Sequence, residues 1–303
     1  MNVLVTGTTG FIGSMFLQSI KLDKSYTLFE LKRDPILDAE KWVGNTLYIS
    51  AIEDVEDWSG LLTDIDVIIH IAALAHNKAK SERELFEVNT NATRNLAQGA
   101  KQAGVKHFVF LSSIGVCGNH SLNYELSEKT VHAHNQYAKS KKDAEDAIRN
   151  ICNDNTMRFS IVRPPLVYGK GAEGNFTLLT KLVEKIPLTP FGLCNSPRSF
   201  ISIYNLVDLI EKMVKIGGQN ETYVVSDGVN LSTKEFVTLM AQAQNKKRLH
   251  LPLPKFAFML LGKSSMIPQL FLPLEVDISK VKVGLNWKPK YSPLESMQRI
   301  FEN

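Results

Sequence analysis

Three side chains of this 303-residue chain have the types and spacing for acid–base work at an alcohol carbon. Tyr137 and Lys141 stand four residues apart in Asn135-Gln136-Tyr137-Ala138-Lys139-Ser140-Lys141, so on a helix they share one face. Ser113 lies 24 residues before Tyr137, closing the apolar run Phe108-Val109-Phe110-Leu111-Ser112. A phenol, with an ordinary pKa of about 10, serves as an acid–base group at neutral pH only if a nearby cation pulls it down. Lys141 is placed to be that cation, and the Ser113 hydroxyl to donate to the same substrate oxygen. Alone, Ser113 reads as a serine tying off a turn and Tyr137 as a half-buried helix residue. The three together favour catalysis.

Such groups need a scaffold. The chain opens with an apolar strand and a glycine loop, Val3-Leu4-Val5-Thr6-Gly7-Thr8-Thr9-Gly10-Phe11-Ile12-Gly13, running into a helix. Glycines there let the backbone turn and approach a pyrophosphate, which rests on the positive helix N-terminus. The bland alternative is a tight strand-to-helix turn. Strands are predicted at 2–6, 26–31, 46–50, 66–71, 107–112 and 158–163, and helices at 11–21, 54–62, 81–102 and 136–151. This βαβ alternation predicts an α/β fold with a doubly wound parallel sheet, whose ligands bind outside the carboxyl ends of the strands. Gly7, the Ile71-Ala72-Ala73 turn, Ser113 and Pro164 all fall at such ends. After Arg163-Pro164-Pro165 the elements shorten, with strands at 199–203 and 222–226 and helices at 174–185, 205–217, 232–244 and 292–302. The division expected is a dinucleotide-binding domain over 1–165 and a smaller substrate lobe over 166–303, with segments such as 199–226 free to return to the first.

The second strand ends Leu28-Phe29-Glu30-Leu31-Lys32-Arg33-Asp34. A carboxylate there would take the ribose 2′-hydroxyl of NAD; Lys32 and Arg33 suit the 2′-phosphate of NADP. NADP(H) is favoured and NAD(H) stays open, because Glu30 serves if the register differs by two. The net charge of +4 is small and unclustered, which excludes a nucleic-acid stripe. Cys117, Cys152 and Cys194 have no metal or disulfide spacing and fit a reducing, cytoplasmic setting. His132 and His134 have no third ligand nearby and read as a solvated loop, so no metal is expected. The N-terminus enters a strand at once and does not read as a signal peptide. The apolar stretch 256–274 is too interrupted to span a bilayer, and packing against the fold is favoured over contact with a membrane surface.

Taken together, these residues resemble the extended short-chain dehydrogenase/reductases, the NAD-dependent epimerase/dehydratase group that acts on nucleotide sugars. The likeness rests on the glycine loop, Ile69-His70-Ile71-Ala72-Ala73, Val88-Asn89, Leu111-Ser112-Ser113, Tyr137-x-x-x-Lys141, Arg163-Pro164-Pro165-Leu166-Val167-Tyr168-Gly169, the segment Arg198 to Leu206 and the tail from Val276 to Pro289. It implies a Rossmann sheet in which Gly7, Gly10, Phe11, Ile12 and Gly13 hold the pyrophosphate and Ile52 borders the adenine. It also implies that Ala72 and Ala73 pass under the ribose, Asn89 supports the site, and Lys141 binds the nicotinamide ribose. Pro164 would border the cofactor, and Asn175 and Arg198 would meet the sugar nucleotide, a UDP-sugar. A homodimer and a role in O-antigen or capsule precursor synthesis follow from the same resemblance.

Three departures narrow the activity. The 4,6-dehydratases of the group carry Asp-Glu after the catalytic hydroxyl residue; Ile114-Gly115 stand here, which argues against dehydration. Ala51 replaces an acidic residue before Ile52, and an arginine used by 4-epimerases is not evident before Val276-Asp277. What remains is oxidoreduction at C4: a 4-ketoreductase making a UDP-6-deoxy-HexNAc, favoured by Lys32-Arg33, or a 4-epimerase as the alternative. A non-catalytic dinucleotide sensor is the minor alternative, disfavoured because both Tyr137 and Lys141 are kept.

Overall fold

The computed structural model describes residues 1–20, 25–34, 36, 39–75, 78–260 and 262–302. In chain order its elements are β1 (Asn2–Thr6), α1 (Phe11–Ile20), β2 (Thr27–Arg33), β3 (Lys41–Val43), β4 (Thr46–Ile49), β5 (Val67–His70), α2 (Glu82–Phe86), α3 (Ala92–Gln102), β6 (His107–Leu111), α4 (Gln136–Ile151), β7 (Arg158–Arg163), β8 (Leu166–Tyr168), α5 (Asn175–Lys185), β9 (Leu188–Thr189), β10 (Arg198–Ser202), α6 (Ile203–Ile216), β11 (Glu221–Val224), β12 (Asn230–Leu231), α7 (Thr233–Ala243), β13 (Leu249–His250), α8 (Lys255–Leu260), α9 (Ile267–Phe271), α10 (Ser279–Gly284) and α11 (Pro293–Phe301).

The main sheet has eight strands in the order β11-β7-β6-β5-β1-β2-β4-β3. From β7 to β4 all neighbours pair parallel, and β3 returns antiparallel on β4. The chain goes from β1 to β2 on one side and comes back to β5 on the other, so the strand order reverses between β1 and β5. That reversal opens a crevice at their carboxyl ends. Parallel strands covered on both faces are near-continuous apolar runs, and the middles of β1, β5 and β6 are: Val3, Leu4, Val5, Ile68, Phe108 and Phe110 are fully buried. Leu96 and Ala97 of α3 and Ala144 and Ile148 of α4 complete the core under the sheet.

Two compact units are distinguished, with the chain passing between them more than once: residues 1–116, 131–163 and 209–223 form the first, and 117–130, 164–208 and 224–303 the second. The first holds the main sheet. Within the second, β12-β10-β8 and β13-β9 make two small sheets. There Asp227 accepts from Tyr168 Oη (2.7 Å), Ser202 N (3.0 Å) and Asn205 Nδ2 (2.7 Å), while Asn205 Oδ1 accepts from Lys290 N and Tyr291 N. The Arg198–Leu206 motif therefore carries a structural hub as well as its arginine.

Two expected helices need correction. Residues 54–62 form turns, because the Asp57 carboxylate captures Ser59 N at 2.8 Å and Gly60 follows; Val55, Trp58 and Leu62 still bury themselves from the loop. The helix expected over 81–102 is interrupted by a π-turn over Glu87–Asn91. A Cβ added at Gly99 on α3 would meet Trp58 Cβ at 2.3 Å. Gly99→Ala is accordingly expected to lower stability by about 1–3 kcal/mol in urea unfolding, although alanine favours helices.

Candidate active site

The glycine loop is built by close backbone approach. Gly7 has φ +72°, and a Cβ there would lie 2.7 Å from Ala72 N; a Cβ at Gly13 would lie 2.2 Å from Gly7 O. The loop after β1 thus presses against the turn after β5 on one side and the start of α1 on the other. Thr6 Oγ1 fastens that junction by accepting from Ile71 N (3.2 Å) and Ala72 N (3.1 Å). Thr6 then donates to His70 Nδ1 (2.8 Å), which leaves Nε2 to donate to Thr93 Oγ1 (2.9 Å). Burial, helped by the charge of Lys141, lowers the His70 pKa to about 3, so the imidazole is neutral.

The Tyr137 helix begins where its sequence dictates. Asn135 is extended, and its Oδ1 accepts from Ala138 N at 2.8 Å as an N-cap. Tyr137 therefore sits on the first turn of α4 and Lys141 on the next. Asn89, buried in the π-turn, grips the loop after β5 through Leu74 N (2.7 Å) and Leu74 O (3.0 Å), and donates to Ser140 Oγ (3.1 Å). Thr90 Oγ1 donates to Ser140 O (2.9 Å), and Ser140 Oγ to Tyr137 O (2.9 Å). The π-turn is what lets neighbouring side chains reach both the loop and the helix. Ser113 Oγ accepts from Gly115 N (3.1 Å), and a Cβ on Gly115 would crowd both that oxygen (3.3 Å) and Ala138 Cβ (3.4 Å). Gly115 thereby brings the serine turn against the first turn of α4.

The electrostatics are set by burial. Lys141 is 1 % exposed, with Nζ 4.1 Å from the centre of the Phe110 ring; desolvation lowers its pKa to about 7, while the charge of Glu145 acts the other way. Burial pushes the Tyr137 phenol up, so the expected lowering by Lys141 is not a feature of this arrangement. One turn beyond Lys141, Glu145 is fully buried and receives Arg163 through both oxygens, Nε to Oε1 at 2.9 Å and Nη2 to Oε2 at 2.6 Å. Ser112 Oγ adds a bond at 2.6 Å and Arg149 Nη2 one at 2.8 Å. Burial raises the Glu145 pKa, but Arg163, Ser112 and Arg149 outweigh it and hold the carboxyl below the usual range.

The remaining expected residues are placed as follows. Phe11, Ile12 and Ile52 are half-buried beside the loop and core, Gly10 N donates to Gly7 O at 3.0 Å, and Ala73 is exposed. At the end of β2, Lys32 Nζ lies 3.2 Å from Glu30 Oε2, and Arg33 is exposed. Pro164, Asn175 and Arg198 belong to the second unit. There Asn175 donates to Gln269 Oε1 (2.8 Å), and Arg198 Nη1 to Leu272 O (2.8 Å), with burial lowering the arginine to about 10. His132 and His134 are exposed, and no group of three metal-ligating side chains occurs among the described residues.

The model of the family described as "NAD dependent epimerase/dehydratase family" matches residues 3–226. The chain belongs to that family. A Vibrio cholerae protein described as UDP-glucose 4-epimerase is 36% identical, over 98% of this chain and 94% of its own. An Escherichia coli O157:H7 protein described as N-acetyl-alpha-D-glucosaminyl-diphospho-ditrans,octacis-undecaprenol 4-epimerase is 29% identical, over 84% of this chain and 76% of its own. The solved UDP-N-acetylglucosamine 4-epimerase of Bacillus cereus superposes with a TM-score of 0.81 at 21% identity, covering 99% of this chain and 98% of the other.

For a member of an NAD-dependent family the loop residues fit the cofactor. Gly7 and Gly13 form a cradle that any Cβ would fill, and Thr8 Oγ1 is buried without a partner among the described residues. The first turn of α1 carries no acid that would repel a pyrophosphate. Sequence reading missed Glu145, Ser112, Thr6 and Thr90; the signal for Glu145 was its position one further turn along from Tyr137 and Lys141. Two outcomes test this geometry. Gly13→Ala should lower the melting temperature clearly, because its Cβ meets Gly7 backbone, and should weaken dinucleotide binding by calorimetry at temperatures where the variant is still folded. Because the Lys141 pKa is lower folded (about 7) than unfolded (10.5), the penalty for burying it is full below about pH 7 and relieved towards pH 10.5. Unliganded Lys141→Met should therefore melt higher than the parent at neutral pH and below, with the gap closing as pH rises.

Proposed function

We propose that this chain is a nucleotide-sugar 4-epimerase, removing and restoring the C4 hydrogen of a UDP-hexose or UDP-N-acetylhexosamine. The observation that carries the choice is the Glu30–Lys32 ion pair at the end of β2. The lysine that pointed to a 2′-phosphate is engaged with a carboxylate on the same strand face, which weakens the case for exchangeable NADP and hence for net reduction. The 36% identity to a protein described as a UDP-glucose 4-epimerase supports the same reading. When bound, the nicotinamide supplies the hydride acceptor and donor. The chain's own residues handle the oxygen: Tyr137 takes the C4 hydroxyl proton and gives it back, Ser113 hydrogen-bonds the same oxygen, and Lys141 would hold the nicotinamide ribose. Ile114 and Gly115 offer no carboxyl pair for loss of water. Arg198 and Asn175 are proposed to hold the diphosphate and sugar.

The second reading, a 4-ketoreductase using NADPH, keeps the support of the exposed Arg33. Incubation with UDP-glucose or UDP-N-acetylglucosamine and no added cofactor distinguishes the two. The epimerase reading expects the C4 epimer from the purified chain and a fall in kcat of about 10²–10⁴-fold in Tyr137→Phe. No epimer from those sugars, together with one-for-one NADPH consumption on a UDP-4-keto-6-deoxy sugar, would select the reductase instead.

A further inference from the structure

The acid-free stretch before the tail has a surface that sugar chemistry does not use. Helix α8 is anchored on one side only: Phe258 is 4% exposed, its ring 5.6 Å from that of Phe271 in an edge-on contact. The opposite side presents Phe256, Met259 and Leu260 at i, i+3 and i+4, exposed by 63%, 60% and 82%. Single exposed apolar residues are ordinary, but three large ones on one helix face mark a contact surface. Two exposed lysines flank the helix in sequence: Lys255 at its first residue, with Nζ 5.4 Å from the centre of the Phe271 ring, and Lys263 three residues past its end. Between Lys246 and Leu274 the sequence holds five cations (Lys246, Lys247, Arg248, Lys255, Lys263) and no Asp or Glu, against +4 for the entire chain. That stretch therefore carries positive charge with no acid in its own sequence to offset it, beside three exposed apolar side chains. No helix among the described residues is long and apolar enough to cross a membrane.

An apolar helix face flanked by lysines, on a strongly basic and acid-free segment, complements a surface that is both negative and greasy, which is the interface of an anionic bilayer. We propose that α8 seats this protein on anionic lipid membranes, with Phe256, Met259 and Leu260 entering the acyl boundary and Lys255 and Lys263 meeting lipid phosphates. The contact is peripheral and salt-sensitive, since a short helix and a few charges give reversible attachment only.

Flotation of the full-length chain with vesicles tests this. The chain should float with phosphatidylcholine–phosphatidylglycerol vesicles, stay behind with phosphatidylcholine alone, and be released by high salt. Lys255→Glu with Lys263→Glu should weaken partitioning at least about 25-fold, from about fivefold per surface cation. Phe256→Ser with Leu260→Ser should weaken it about 100-fold, at about tenfold per buried side chain. Unchanged circular dichroism and melting in both double variants would exclude misfolding as the cause. The proposal is overturned if the parent fails to float with the anionic vesicles, or if both variants float as it does. It is equally overturned if sedimentation equilibrium shows a dimer that Phe256→Ser dissolves, which would give the face to a second copy.

Discussion

The bidentate pair between Glu145 and Arg163 is the constraint on which the site depends. Both side chains are essentially fully buried, so neither charge has water to fall back on, and each is tolerable only because the other is there. Loss of one partner from such a pair typically costs about 3–5 kcal/mol, far more than an exposed pair contributes. The pair joins α4 to the end of β7, and Ser112 ties the same carboxylate to the end of β6. Tyr137 and Lys141 are therefore fixed to the sheet by the next turn of their own helix. Glu145 also leaves a negative charge near Lys141, which limits how far desolvation depresses the ammonium.

A second constraint is purely steric. The β1–α1 loop lies so close to the turn after β5 that no side chain fits at Gly7 or Gly13. Thr6, His70 and Thr93 lock this approach with a buried chain of hydrogen bonds whose donors and acceptors are fully assigned by the neutral imidazole. Asn89 then links the turn after β5 to α4. The glycine loop and the Tyr137 helix, distant in sequence, are set by one connected network.

Much of this was legible in the sequence because it is local. The parallel strands announce themselves as continuous apolar runs, the loop by its glycines before a helix, and Tyr137–Lys141 by helical spacing after an Asn N-cap. What escaped depends on distant partners or on turns that override helical spacing. Glu145 looks like any solvated helix acid until Arg163, 18 residues on, arrives beside it. The segment 54–62 has apolar residues at helical intervals, yet an Asp57–Ser59 turn and Gly60 win over propensity. The stretch 256–274 was expected to pack, and Phe258 and Leu270 do, while Phe256, Met259 and Leu260 face outward. Six-residue helices between prolines carry too little periodicity to reveal which side is covered.

The closed cycle at C4 proposed for Tyr137, Ser113 and Lys141 has a direct isotopic consequence. A UDP-sugar carrying deuterium at C4 should yield an epimer that keeps the label at C4, without exchange into solvent and without any reductant. Loss of the label from C4, or epimer that forms only when NADPH is supplied, would contradict the cycle.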